Sequence, residues 1–189
     1  NIPVKSKELP ISKSVTKILN AGEEASYALV PFGTKGSNKA IVTVSGLPSV
    51  NLSSRINYLI EYPHGCTEQT ISSVFPQLFL SGIQELDQEQ KRQIAFNIQA
   101  GISKLKQHQN TDGSFGFWPG SAANDEWLTN YAGHFFSEAE LKGFTISPQM
   151  KKSWLTYQAR IASDWKGNLP YQKVVQAYRL YTLALADKP

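Results

Sequence analysis

Cys66, the only cysteine among 189 residues, stands three positions before Gln69 in the stretch YPHGCTEQT, residues 62–70. A free thiol titrates near about 8.5 and attacks poorly until its thiolate is stabilised, which a helix N-terminus does without another charged side chain. Pro63 and Gly65 end the segment before Cys66, and Thr67 is placed to cap a helix that starts beside it. Side chains at i and i+3 meet on one face of such a helix. The sulfur of Cys66 then reaches the carbonyl carbon of Gln69, and attack there expels ammonia and leaves an internal thioester. That bond is a stored acylating agent, stable only while water and amines are kept away. It requires an apolar cover, for which Tyr62, Phe75, Trp118 and Trp127 are available. Glu68 faces another way and suits proton transfer or the positive end of the helix.

The same residues admit other readings. A lone cysteine also serves as a small buried hydrophobe, and Cys-x-x-Gln alone does not decide between the two. A cysteine hydrolase would need an imidazole held against Cys66 by a third group, and the nearest in sequence is His64. In a helical module that only binds other proteins, Cys66 would be inert.

The elements that must position this pair are mostly helical. Residues 25–32 and 39–47 alternate apolar and polar types around a Gly-x-x-Gly connection, which predicts two strands. The stretch GLPSVNLSS, 46–54, makes a boundary, giving an extended or β segment over 1–49 and a helical region over 50–189. There, Ile56, Leu59 and Ile60 form one apolar stripe, and Ile71, Val74, Phe75, Leu78 and Phe79 the next, interrupted by Pro76 and closed by Gly82 as a C-cap. Residues 87–109 carry Ile94, Ile98, Ile102 and Leu105 at helical spacing. A turn-rich loop, 110–125, precedes a helix with Leu128, Tyr131, Ala132, Phe135 and Phe136 inside. Ser147 then caps a helix with Pro148 at its first position and Trp154, Leu155 and Ile161 along it. A last helix, from Pro170, offers Val174, Tyr178, Tyr181 and Leu185. Helices joined by short loops pack antiparallel, and the recurrence of WLT at 127–129 and 154–156 hints at repeated hairpins.

Composition narrows the field. With 41% hydrophobic and 18% charged residues the chain packs rather than staying disordered. A net charge of +4, its lysines and arginines scattered, argues against nucleic acid as partner. No apolar run approaches the roughly 20 residues of a membrane helix, and NIPVKSKELP does not read as a signal peptide. A single cysteine leaves neither an internal disulfide nor a Cys-rich zinc site, so neither metal nor cofactor is expected.

The string YPHGCTEQT resembles the thioester signature of the α2-macroglobulin and complement superfamily, most of all its bacterial α2-macroglobulins. Two further stretches agree in order and spacing, QHQNTDGSFGFWPG at 107–120 and EWLTNYAGHFFSEAELKG at 126–143, so the likeness covers roughly 50–189. Thr67 stands where the animal proteins usually have glycine. The resemblance implies a mainly α fold, an α/α-toroid of helical hairpins present here as a truncated thioester domain, after a short β-segment. It makes Cys66 the thioester sulfur, Gln69 the acyl donor and Glu68 part of the motif, flanked by Tyr62, Pro63, Gly65 and Thr67. It implies a protease-trapping inhibitor with a single-use bond rather than an enzyme. Its partners would be target proteases and other domains of the parent chain, in the periplasm or on an inner-membrane lipoprotein. Some complement proteins steer the acyl group to hydroxyls with a downstream histidine. None of His64, His108 and His134 falls in the late segment where it would align, which points to amine acylation without it. His64 reads as a surface turn residue and His134 as a packed core histidine. The stretch from Gln109 through DGSFGFW also resembles the Gln-Trp repeat of terpene cyclases, whose work is to brace helix ends.

Overall fold

Prolines and acidic caps set the starts of the long helices in the computed structural model, which describes residues 11–44, 52–121 and 123–186. Helix α1 spans Leu52–Leu59 and α2 Thr67–Val74. Pro76 ends α2 and opens a 3-10 turn, Pro76–Phe79, that runs into the short α3, Leu80–Ile83. Helix α4, Gln88–His108, begins at Asp87, whose carboxylate accepts from the Gln90 N–H at 2.8 Å. The Gln90 side-chain oxygen in turn accepts from the Asp87 N–H, completing a capping box. Asp125 caps α5, Glu126–Leu141, in the same way through the Leu128 N–H. Helices α6, Pro148–Ser163, and α7, Pro170–Leu185, both start on proline, whose fixed φ and missing N–H suit the first helical position.

Packing follows the hairpin order. Helix α5 lies against α2, α6 and α7; α4 packs on α2, and α6 also packs on α7. This sets α2, α5 and α7 in one row with α4 and α6 behind them, the mainly helical arrangement expected of stacked hairpins. The main core joins Ile71, Val74, Ile98, Ile102 and Leu105 to Phe115, Phe135, Phe136 and Trp154, all 5% exposed or less. Two glycines permit the closest approaches. A Cβ on Gly101 of α4 would lie 3.0 Å from both Val74 methyls, and one on Gly133 of α5 would lie 1.8 Å from a Trp154 ring carbon. The Trp154 indole N–H reaches the Thr129 carbonyl of α5 at 2.8 Å, so the buried ring is fixed in orientation as well as depth.

The chain forms two units, Asn1–Ser49 and Val50–Pro189. In the first, the two strands predicted over 25–32 and 39–47 do not form among residues 25–44; 45–47 lie outside the described residues. The Gly33–Gly36 connection does make a turn, with the Ser37 N–H on the Thr34 carbonyl at 3.1 Å. The Phe32 N–H, however, is taken by the Asn38 side chain at 3.0 Å rather than by a cross-strand carbonyl. Ile41 and Val44 are more than nine-tenths exposed, and an uncovered two-stranded ribbon is marginal in water.

Three expectations in the helical region also change. Gly82 lies within α3 and Gln84 is its C-cap, because the 3-10 turn carries the helix one step further. Ser147 stands at the N-cap of α6 without a side-chain bond to it, leaving Pro148 as the effective start signal. On α7 the buried face is rotated: Val174 is 56% and Tyr181 49% exposed, while Val175, Gln176, Arg179, Thr182 and Leu183 point inward. Polar groups occupy that face, so apolar periodicity does not report it.

Candidate functional site

Gly65 bends the chain into Cys66 at φ +88°, a conformation that side chains with a Cβ rarely adopt. Cys66 follows in extended conformation as the N-cap of α2, placing Thr67 at the first helical position rather than at the cap. The Gln69 carboxamide folds back over this turn, and its Oε1 accepts from the Cys66 N–H at 3.1 Å. It comes so close to Gly65 that a Cβ there would lie 1.9 Å from Oε1 and 2.8 Å from Cδ. Glycine is therefore required twice, by the backbone angle and by the carboxamide resting on it. The Cys66 thiol is free and 8% exposed.

Thr67 has the most partners at the site. Its N–H donates to the Phe117 carbonyl at 2.9 Å, and its Oγ1 donates to the Gly116 carbonyl at 2.5 Å and lies 2.9 Å from His108 Nδ1. The residue is fully buried and His108 is 3% exposed. Burial, aided by the nearby Lys104 ammonium, holds the His108 imidazole below its ordinary pKa. Lys104, one turn earlier on α4, donates from Nζ to the Pro63 carbonyl at 3.4 Å.

Glu68 turns away from Gln69, and its carboxylate accepts from Ser72 Oγ at 2.6 Å. It lies in the first turn of α2, where the helix dipole favours an anion. Ser72 Oγ also approaches the Tyr131 hydroxyl at 3.4 Å, which links this edge of the site to α5.

The aromatic cover expected over Cys66 is distributed differently. Tyr62 is 42% exposed and packs its ring 4.7 Å from the His64 ring. Trp118 and Trp127 are 57% and 43% exposed, Trp118 on the outside of a loop turn and Trp127 against Tyr178. Phe75 belongs to an aromatic layer with Tyr131, His134 and Phe135. What the site does have at its buried edge is loop backbone, 116–117, joined to Thr67.

Each histidine has a partner other than Cys66. His64 lies against Tyr62, His108 against Thr67, and His134 places Nδ1 3.0 Å from the Tyr178 hydroxyl. Burial lowers the His134 pKa against the opposing pull of Glu138, and it raises that of Tyr178, helped by Tyr131 and Tyr181. His134 is thus the packed histidine the sequence suggested. Gln109 braces helix ends as expected, its Nε2 donating to the Gly113 and Met150 carbonyls at 3.2 and 3.0 Å. Among the described residues no group of three or more His, Cys, Asp or Glu is arranged to hold a metal ion.

Sequence reasoning passed over His108 and Arg179. His108 continues the Ile94, Ile98, Ile102, Leu105 stripe three residues on, so an imidazole at a core position was the available signal. Arg179 is fully buried; its Nε donates to Gln158 Oε1 at 3.1 Å and its two terminal nitrogens bond Gln176 and Glu126.

The site thus combines a buried cysteine at a helix N-cap with a glutamine carboxamide laid over the glycine before it, on a row of helical hairpins. The chain belongs to the A-macroglobulin TED domain family, whose model matches residues 40–180. It is 35% identical over 159 residues to the α2-macroglobulin of Escherichia coli K12, a match covering 77% of this chain and 10% of that protein. The crystal structure of Salmonella α2-macroglobulin reacted with methylamine superposes with a TM-score of 0.61 at 30% identity, over 76% of this chain and 10% of the other. The trypsin-activated E. coli protein gives a TM-score of 0.57 at 27% identity over 67% of this chain and 10% of the other. The chain therefore spans about a tenth of the length of these relatives.

Proposed function

We propose that this chain carries the reactive centre of a bacterial α2-macroglobulin, an internal thioester between Cys66 and Gln69 that acylates amines of a captured protease. The observation that carries the reading is the Gln69 carboxamide folded back onto the Cys66 N–H over Gly65. In forming the bond, Sγ as thiolate adds to Gln69 Cδ, the C–N bond breaks and the nitrogen leaves as ammonia with the thiol proton. In use, an amine adds to the same carbon, the C–S bond breaks, and an amide forms while the sulfur regains a proton. Each chain acylates once, which makes it a trap rather than an enzyme. Glu68, held by Ser72 and turned away from Gln69, serves the positive end of α2 in this reading. A lysine of the protease is the amine, and the parent chain acts in the periplasm or from an inner-membrane anchor, with its other domains presenting the protease. Trypsin activation of one relative and methylamine reaction of another support this direction. The hydrolase alternative has less support, since each of the three imidazoles is engaged elsewhere.

Intact mass tests the reading. The untreated chain is expected to be lighter by one ammonia than its sequence requires, and methylamine should add its own mass and release one thiol. Cys66→Ala and Gln69→Glu should have the full mass of their sequences and not respond. A wild-type chain of full mass, with a free thiol and no methylamine uptake, would remove the thioester from this protein.

A further inference from the structure

We infer that His108 is a positioning residue for Cys66, acting through the Thr67 hydroxyl as half of a two-point clamp that α4 places on the Pro63–Thr67 turn. The inference goes beyond the thioester reading and rests on it only for the second readout below. Thr67 Oγ1 has one proton and three neighbours. The Gly116 and Phe117 carbonyls, at 2.5 and 3.2 Å, can only accept, so the proton goes to them. His108 Nδ1, at 2.9 Å, must then be the donor. That puts a proton on Nδ1, and burial, with the Lys104 ammonium nearby, disfavours a second proton on the ring. One turn back on the same face of α4, Lys104 Nζ donates to the Pro63 carbonyl at 3.4 Å. Lys104 and His108 are four residues apart, so they lie one above the other on the helix. Between them they hold the chain three residues before Cys66 and one residue after it. The turn presenting the thiol is thereby referenced to α4, the longest helix of the described residues.

The test uses the full 189-residue chain with Thr67→Val, His108→Leu and His108→Asn, plus Ile98→Val as a control. Thr67→Val keeps the shape and removes the accepting hydroxyl. His108→Leu removes the donor, and His108→Asn returns an N–H near the position of Nδ1. Ile98→Val weakens the same helix without touching the clamp. All are treated with methylamine, so that Cys66 is a free thiol whether or not a thioester was present, and the rate of its alkylation by iodoacetamide is measured under native conditions. Loss of one buried hydrogen bond should speed alkylation on the order of tenfold in Thr67→Val and His108→Leu. His108→Asn should stay within about twofold of wild type, a rescue that general loosening would not give. Equal rates in all variants, or an Ile98→Val rate as high as that of Thr67→Val, would overturn the clamp. If His108→Leu does not fold, Thr67→Val against His108→Asn decides. The second readout is the fraction of untreated chains lighter by one ammonia, expected to fall in Thr67→Val and His108→Leu and to be kept in His108→Asn. Absence of that lighter species from wild type would sink the thioester reading and leave the alkylation rates to judge the clamp.

Discussion

The α2–α4 seam and the α5–α7 seam are held by opposite chemistry. Ile71, Val74, Ile98, Ile102 and Leu105 furnish the first, with Gly101 letting Val74 settle close to α4. The second has at its centre a buried guanidinium: Arg179 bonds Glu126 of α5, Gln176 of α7 and Gln158 of α6. Gln158 goes on to Asn130 Oδ1 at 2.5 Å, and Asn130 donates to the Val175 carbonyl at 3.0 Å. An apolar seam gains free energy with area and tolerates rearrangement of volume. A network whose members each have a designated partner is stable in one register only, because a shift strands buried polar atoms. The buried face of helix α7 adds no residue to the main hydrophobic cluster, and these bonds tie it to α5 and α6 beside the contacts of Tyr178 with Trp127 and His134.

Arg179→Met offers the largest break in this comparison. It preserves bulk and removes the centre of the network, leaving the Gln158 and Gln176 oxygens without a donor, and should cost about 3 kcal/mol in urea unfolding. Ile98→Val in the apolar seam removes one methylene from a fully buried side chain and should cost about 1 kcal/mol. Should the order reverse, the polar network would not be what holds α7. The smallest effect separates the seams by pH. His108, at the end of α4, and His134, on α5, both have pKa values lowered by burial. Above the ordinary value of 6.5 both are neutral folded and unfolded and contribute no pH dependence. Below it the unfolded chain takes up protons first, so stability should fall as pH drops. A stability profile between pH 7 and 5 should show that slope, flattened in part by His134→Asn, and a flat wild-type profile would contradict it.

How far the sequence discloses this protein follows the same division. The apolar stripes and the prolines at 76, 148 and 170 located helices, and the three-residue spacing of Cys66 and Gln69 matches the hydrogen bond the two make at the start of α2. Where polar side chains take interior positions, periodicity failed: the face of α7 was misjudged by one position, Val174 for Val175, because Arg179 and Thr182 occupy the inside. His108 was counted among the three histidines but given no role, although it continues the α4 stripe three residues beyond Leu105. The strands over 25–44 were misjudged for a different reason, since alternation reports a half-covered surface only when something covers it.

The hydrogen bonds at Thr67 also impose an order on folding. Its side-chain partners lie 41, 49 and 50 residues further along the chain. Contacts of that span form only after the entropy of closing the intervening chain has been met, whereas the bond between Cys66 and Gln69 spans three residues. The local pair can meet early, but the turn that carries it is fixed only when α4 is complete and the 116–117 loop has docked. A nascent chain therefore holds thiol and carboxamide in fluctuating geometry, and the turn that carries them takes its final shape only when segments made 41 to 50 residues later have docked.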